Sequence, residues 1–136
     1  MKNKNNETIN DLVNFNNIKI YQNKNYFNFS LDSILLPNFV ILNNKTKKVL
    51  DLCTGNIPIP LILSKKTKAL IYGVEIQKEI FDLAEKTLKI NNLENQIILI
   101  NKDAKELVND FETDIFDLIT CNPPYFKNSN TSIKNN

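Results

Sequence analysis

The 136-residue chain has no histidine, no arginine and no tryptophan, and only two cysteines and two glycines. Without histidine it can build neither a Cys/His zinc site nor an imidazole acid or base, so we expect no metal centre. Cys53 and Cys121 are too few for a disulfide framework, which favours a reducing cytoplasm. No stretch approaches the roughly 20 apolar residues of a membrane span, and the polar start from Met1 to Asp11 does not look like a secretion signal.

The overall composition, with 42% hydrophobic and 24% charged residues, is typical of one soluble globular domain. A chain of this length buries enough apolar surface to form a core without disulfides. The abundance of lysine, asparagine and isoleucine indicates A/T-rich codons, which makes the lysine count weak evidence for nucleic-acid binding. The net charge is only +2, although residues 1–50 carry seven lysines against three acids. This basic leading segment either contacts phosphates or is an ordinary solvated surface.

The segment before the domain is interpreted as a short helix or a flexible arm over residues 1–17. It is rich in Asn and Lys, and its few apolar residues have spacings compatible with a helix, at Ile9, Leu12 and Val13. The domain itself is expected over residues 18–136. It begins with a predicted short strand at Ile18–Tyr21, followed by a helix at Leu31–Leu42 that Pro37 bends or ends.

From Lys48 onward, short apolar runs alternate with longer amphipathic ones, which is typical of a β-α-β-α-β-α-β order. The predicted strands are Lys48–Leu52, Leu70–Val74, Gln96–Asn101 and Ile115–Cys121. The predicted helices between them are Pro58–Ser64, Lys78–Ile90 and Ala104–Asn109. Because each strand is a nearly continuous apolar run, we expect a parallel sheet covered on both faces, with ligands at the carboxyl ends of its strands.

Three acidic residues follow successive predicted strands at that edge. Asp51 precedes Gly55, which either lets the backbone approach a ligand or simply makes a tight turn. Glu75 lies 24 residues beyond Asp51, where a carboxylate can accept hydrogen bonds from both hydroxyls of a ribose, or can cap the following helix. Asp103 can meet an adenine amino group or cap the helix that starts at Ala104. Together the three acids predict a nucleotide site.

The last predicted strand runs directly into Asn122-Pro123-Pro124-Tyr125. Two prolines fix an extended backbone whose carbonyls are free to accept hydrogen bonds. The Asn122 side-chain carbonyl and the Pro123 carbonyl could then hold an amine, while Tyr125 stacks on a flat ring. The alternative is a turn that merely ends the strand. The sequence favours a site for a planar amino or amide substrate.

These features together resemble a class I S-adenosylmethionine-dependent methyltransferase of the amino-methylating group. The resemblance extends, over about residues 12 to 127, to the bacterial tRNA1(Val) adenine N6-methyltransferase family. Its motifs in this chain are Phe27-Asn28-Phe29-Ser30-Leu31-Asp32-Ser33-Ile34-Leu35-Leu36, Asp51-Leu52-Cys53-Thr54-Gly55-Asn56 and Thr120-Cys121-Asn122-Pro123-Pro124-Tyr125-Phe126. It implies a Rossmann-like, three-layer α/β core in which four parallel strands, in the order 3-2-1-4, form part of a seven-stranded sheet.

The resemblance also implies S-adenosylmethionine as cofactor and a tRNA adenine as substrate. The residues expected to contact the cofactor are Phe29, Ser30, Asp32, Asp51, Cys53, Gly55, Glu75, Asp103, Ala104 and Asn122. Catalysis is assigned to Asn122 and Pro123, which orient the adenine N6 amine, with Tyr125 and Phe126 stacking on the flipped base. Alternatives are a release-factor glutamine N5-methyltransferase, a ribosomal-RNA guanine methyltransferase and a noncatalytic remnant that binds nucleotide or RNA.

Two departures from the family pattern generate further expectations. Ile57 stands where relatives carry a second glycine. A β-branched residue disfavours positive φ and does not leave the same space for the cofactor, so we expect weaker cofactor binding. The chain ends eleven residues after Tyr125, so a partner chain or downstream segment is expected to complete the sheet.

Overall fold

The computed structural model describes residues 6–12, 15–25, 31–111 and 114–123. Its strands are β1 (Glu7–Leu12), β2 (Phe15–Asn23), β3 (Lys48–Leu52), β4 (Leu70–Val74), β5 (Ile97–Ile100) and β6 (Leu118–Cys121). Its helices are α1 (Leu31–Phe39), α2 (Pro58–Ser64) and α3 (Lys78–Ile90), with a short 3-10 helix at Ala104–Asn109. Strands β3 and β4 and helices α2 and α3 have the bounds that the sequence predicts.

The central sheet is parallel, and its strands lie in the order β5-β4-β3-β6. This confirms the predicted α/β fold class and the expected strand order. Asp51 lies opposite Gly73 on β4 and Thr120 on β6, so the polar strand ends meet at one edge. Strand β6 starts three residues later than predicted. Just before it, the Asp117 carboxylate accepts hydrogen bonds from the backbone N–H groups of Lys47 and Lys48.

Each face of the sheet is covered by its own apolar cluster. On one face, Val49, Ile71 and Ile97 pack among residues of the helices in the larger cluster, where α2 is buried from Pro58 to Leu63. Helix α2 accommodates Pro58 because a proline at the first helical position gives up an N–H that has no partner within the helix. The opposite face carries Leu50 and Val74 beneath the 3-10 helix and a group of mutually edge-to-face rings, Tyr72, Phe111 and Phe116.

The short helix expected near the start of the chain is wrong, because Glu7–Leu12 form strand β1 of an antiparallel hairpin with β2. The helical spacing of the apolar residues was misleading, since Ile9 is largely exposed. Strand β2 instead follows a period of two, with Ile18 and Ile20 buried and Lys19 exposed between them. Alternation of this kind is what a half-buried strand requires.

The hairpin is held against α3 by two side chains that bond to the backbone of β2, one within the helix and one on the residue that follows it. Asn91 accepts from the Lys19 N–H at 2.9 Å and donates to the Lys19 carbonyl at 2.6 Å. The Thr87 hydroxyl accepts from the Tyr21 N–H at 3.0 Å. These groups give the open edge of β2 the partners that a neighbouring strand would supply.

Helix α1 ends at Phe39, three residues earlier than predicted, and holds Pro37 in its last turn. Its inner face buries Ser33, Ile34 and Pro37. Its outer face leaves large apolar side chains exposed at helical spacing, at Leu31, Leu35 and Phe39. None of the helices within the described ranges is long and apolar enough to cross a membrane.

Candidate functional site

The carboxyl ends of the parallel strands bring most of the predicted site residues to one edge of the sheet. Asp51, Glu75 and Asn122 lie at or just beyond the ends of β3, β4 and β6, and Asp103 follows β5. Some residues singled out from the sequence lie outside the described ranges, namely Phe29, Ser30, Pro124, Tyr125 and Phe126. Within the described ranges, no three His, Cys, Asp or Glu side chains are grouped so that they could hold a metal ion.

The loop after β3 (residues 53–57) contains Cys53 and Gly55, two of the residues expected from the resemblance to contact the cofactor, and we call it the cofactor loop for that reason. Its backbone turns left-handed at alternate residues. Cys53, Gly55 and Ile57 have φ of 56°, 58° and 58°. A Cβ atom placed on Gly55 would have no atom within 4 Å, so the space above this glycine is open. An open position in a strand-end loop allows a ligand to approach the backbone.

Ile57 corrects an expectation about this loop. The residue adopts a left-handed conformation with φ 58° and ψ 37°, which the sequence argument held to be unfavourable for a β-branched side chain. Its side chain is 0% exposed and packs in the larger core cluster beneath α2. The loop therefore keeps a glycine-like backbone at this position, and burial of the side chain offsets the backbone strain.

Asp51 lies beneath the cofactor loop and holds it to two strands. Its carboxylate accepts hydrogen bonds from the hydroxyls of Thr54 and Thr120, both at 2.6 Å. The side chain is 1% exposed, and burial raises the pKa of Asp51 to about 7 although both hydroxyl bonds lower it. Gly73 makes this possible, because a Cβ there would stand 3.0 Å from the Thr54 hydroxyl oxygen. Asp51 thus organises the loop from below.

Glu75 links the cofactor loop to the start of α3. One carboxylate oxygen accepts from the Gly55 N–H at 2.9 Å, and the other accepts from the Gln77 N–H at 3.0 Å. Gln77 is the residue before α3 and offers no side-chain cap of its own. Glu75 therefore caps the start of α3, which is one of the two roles considered for it from the sequence. Each of its carboxylate oxygens can still accept a hydrogen bond from a further donor.

Asp103 acts as the N-cap of the 3-10 helix, with its side chain accepting from the Lys105 N–H at 3.0 Å. Ala104, the first residue of that helix, is exposed. Close by, the Asn101 amide donates to the backbone carbonyls of Glu75 and Ile76. Asn101 was missed by the sequence analysis, and its position directly after a strand was the signal available to find it.

Asn122 is positioned by a residue that sequence reasoning missed. Its side-chain amide donates to the hydroxyl of Ser33 at 2.8 Å, and Ser33 is buried on the inner face of α1. Pro123 follows as an exposed residue, and Asp32 is exposed in the first turn of α1. Helix α1 is therefore hydrogen-bonded to the segment that follows β6.

Asn56 connects the cofactor loop to the amino-terminal hairpin. Its side-chain amide donates to the Tyr21 carbonyl, and its side-chain oxygen accepts from the Thr87 hydroxyl at 2.9 Å. Thr87 in turn accepts from the Tyr21 N–H. A continuous set of hydrogen bonds thus joins the loop, α3 and β2.

Comparisons with known proteins find similarity to one family and to several individual enzymes. Residues 31–135 match the family model described as methyltransferase small domain. The release factor glutamine methyltransferase of Thermodesulfovibrio yellowstonii is 32% identical over 93 residues, which are 68% of this chain and 32% of that protein. The tRNA1(Val) (adenine(37)-N6)-methyltransferase of Flavobacterium psychrophilum is 27% identical over 116 residues, which are 85% of this chain and 49% of that protein.

Among solved structures, M. jannaschii TYW2 in complex with AdoMet superposes with a TM-score of 0.68 at 21% identity. The alignment covers 88% of this chain and 52% of TYW2, and at this identity it supports the fold alone. The chain spans about a third to a half of the length of the curated relatives it matches.

The strained conformation of Ile57 predicts an inverted order of variants. Both Ile57→Ala and Ile57→Gly should destabilise the chain by about 2–5 kcal/mol through lost burial. The glycine variant should nevertheless be the more stable of the two by about 1 kcal/mol, because only alanine keeps the left-handed strain. Urea unfolding of both variants measures the difference.

The matched control is Ile62, which is equally buried inside α2. There the order should be the usual one, with Ile62→Gly less stable than Ile62→Ala by about 1 kcal/mol. The same order at both positions would show that residue 57 is not strained.

The raised pKa of Asp51 predicts a pH-dependent stability. Its folded pKa of about 7 exceeds the unfolded value of 3.8, so the folded state binds more protons between these values. The free energy of unfolding should therefore fall as pH rises, by on the order of 2–3 kcal/mol from pH 5 to pH 8. Asp51→Asn should remove this decrease in urea titrations at the two pH values.

The exposed residue Asp117 provides the control for this experiment. Hydrogen bonds from the Lys47 and Lys48 backbone lower the pKa of Asp117, so it is ionised throughout the interval from pH 5 to pH 8. Asp117→Asn should leave the difference in stability between the two pH values as it is in the wild type. A wild-type stability that does not change between pH 5 and pH 8 would contradict the assignment to Asp51.

Proposed function

Because the chain belongs to the methyltransferase small domain family, we propose that it binds S-adenosylmethionine at the carboxyl ends of its parallel strands and methylates the N6 amine of an adenine in tRNA. The observation that carries the proposal is the convergence of Glu75, the open backbone at Gly55 and Asn122 at one edge of the sheet. In open α/β sheets this edge is where nucleotides bind.

The cofactor is assigned to the β3 and β4 ends of the site. The Glu75 carboxylate, bonded to the Gly55 and Gln77 N–H groups, is fixed in place and can accept the two ribose hydroxyls. The open space over Gly55 allows the methionine part of the cofactor to lie against the loop. Asp103 is exposed enough to accept from an adenine amino group while it caps the 3-10 helix.

S-adenosylmethionine supplies a methyl group already activated by its sulfonium. The residues of the chain therefore need only hold the acceptor amine in line and stabilise the positive charge that develops on its nitrogen. The Asn122 side-chain carbonyl and the Pro123 backbone carbonyl suit this role, because both are acceptors without a charge to desolvate. The bond from Asn122 to Ser33 fixes the plane of the amide. Tyr125 and Phe126 are assigned to stacking on the base.

The tRNA substrate is supported by the similarity to the tRNA1(Val) methyltransferase of Flavobacterium psychrophilum, which aligns with 85% of this chain. A second candidate is transfer to a glutamine of a release factor, favoured by the higher identity to the Thermodesulfovibrio yellowstonii enzyme. That alignment covers a smaller share of this chain, 68%. We assign the protein to the cytoplasm, where both substrates occur. We also assign a partner chain or a further segment to the position beside β6.

Cofactor binding is tested by titrating the full chain with S-adenosylmethionine in a calorimeter. Glu75→Ala should weaken binding at least about tenfold, because each ribose hydroxyl that loses its acceptor costs about 1–3 kcal/mol. Glu75→Gln, which preserves the shape of the side chain, should weaken binding less. The exposed Glu79→Ala makes the same change of charge and should bind like the wild type. Wild-type affinity in both Glu75 variants would remove Glu75 from the site.

The substrate is tested by mass spectrometry of nucleosides from tRNA incubated with the protein and cofactor. The wild type should produce N6-methyladenosine, and Asn122→Ala should abolish it while the affinity for S-adenosylmethionine stays largely unchanged. Asn44→Ala, in the exposed connection between α1 and β3, should methylate like the wild type. Methylated glutamine on a release factor, with no N6-methyladenosine, would favour the second candidate instead.

A further inference from the structure

The two cysteines of the chain stand at the ends of adjacent strands. Leu52 of β3 is paired with Cys121 of β6, and Cys53 is the next residue after Leu52. A neighbouring strand lies about 4.8 Å away and one residue adds about 3.3 Å along it, which places the two cysteine Cα atoms about 6 Å apart. Disulfides span Cα separations of roughly 4.4–6.8 Å. Ideal strand pairing in this register therefore gives a spacing within the range of a disulfide.

The two side chains are also close enough to influence each other. Besides burial, Cys121 contributes to the raised pKa of the Cys53 thiol. Both residues are exposed, and neither is bonded covalently to another cysteine. Close approach and access to solvent both favour the joining of two thiols by an oxidant.

We propose that Cys53 and Cys121 are a modification site that forms a reversible disulfide across β3 and β6 when the protein meets a peroxide. One thiolate attacks the peroxide O–O bond and becomes a sulfenic acid, with release of one water. The second thiol then displaces the sulfenic oxygen as another water and forms the S–S bond. Overall, two thiols lose two electrons and two protons, and hydrogen peroxide is reduced to two waters.

The surroundings of Cys53 set the resting state of the pair. Although the residue reaches solvent, partial burial raises the pKa of its thiol to about 11, with further contributions from Cys121, Glu75 and Asp51. The thiolate is the reactive form, so Cys53 stays protonated and reduced at neutral pH. The dithiol is therefore the ordinary state, and the disulfide forms under sustained exposure to oxidant.

The disulfide would act on the least supported strand of the sheet. Within the described residues, β6 is hydrogen-bonded only to β3 and leaves Ile119 exposed. A bond from Cys53 to Cys121 closes a long chain loop and restricts the unfolded state, so the oxidised form should resist heat better than the reduced form. It would also tie the cofactor loop to the residue directly before Asn122.

The test is peptide mapping of the full chain after exposure to hydrogen peroxide and alkylation of the remaining thiols. Cleavage after lysine places Cys53 in residues 49–65 and Cys121 in residues 106–127. In the monomer fraction, we expect these peptides as one species whose mass is lower than their sum by two hydrogens. Dithiothreitol should separate them, and the thermal midpoint of the oxidised chain should rise and then return on reduction.

Cys121→Ser and Cys53→Ser, which keep the size of the side chain, should each lack the linked peptide and the shift in midpoint. Oxidation of the wild type only to sulfinic or sulfonic acids, or to dimers between chains, would overturn the proposal. A linked peptide with a lowered midpoint would overturn the stabilising role of the bond. The mapping needs neither cofactor nor RNA, so its outcome is independent of the proposed methyl transfer.

Discussion

The geometry of the strand-end site depends on the buried carboxylate of Asp51. By accepting from Thr54 and Thr120, it fixes β3 to its own loop on one side and to β6 on the other. A buried carboxylate is costly in its charged form, and the two hydroxyl bonds offset only part of that cost. The chain thus gives up some stability to hold the loop and the edge strand in a fixed relation.

Three further hydrogen bonds extend the same principle around the site. Glu75 bonds to the backbone of the cofactor loop and of the residue before α3, and Asn122 bonds to Ser33 on α1. The bonds to the loop and to Ser33 join segments that are distant in sequence, and all three orient an acceptor group before any ligand arrives. Groups placed in advance do not have to be ordered when a ligand arrives, which lowers the entropic cost of using them.

The sequence predicts the centre of the fold well because burial on both faces leaves few ways to arrange its apolar runs. Lys48–Leu52 has the observed bounds for that reason, and Lys78–Ile90 has them because its apolar residues recur at helical spacing. Part of β2 was predicted, as the strand Ile18–Tyr21, whereas β1 escaped prediction because it is exposed along most of its length and its residues do not alternate. The bonds that hold the hairpin to α3 come from Thr87 and Asn91, which are distant in sequence.

For the site, sequence spacing placed Asp51, Glu75 and Asn122 at the same edge, but it could not supply their partners. Thr54 and Ser33 acquire their roles only when the loop and α1 are folded against the strand ends. Ile57 departs from a general backbone preference. A β-branched residue disfavours positive φ, yet tertiary burial of the side chain holds Ile57 in the left-handed region.

The bonds of Asn56 to Tyr21 and Thr87 have a consequence for how this molecule opens. Protection of the Tyr21 amide from hydrogen exchange depends on Thr87, and Thr87 is held by the same asparagine that belongs to the cofactor loop. The hairpin and the loop therefore belong to one cooperative unit of local unfolding. A ligand that orders the loop would slow amide exchange in β2, far along the chain from any residue that the ligand touches.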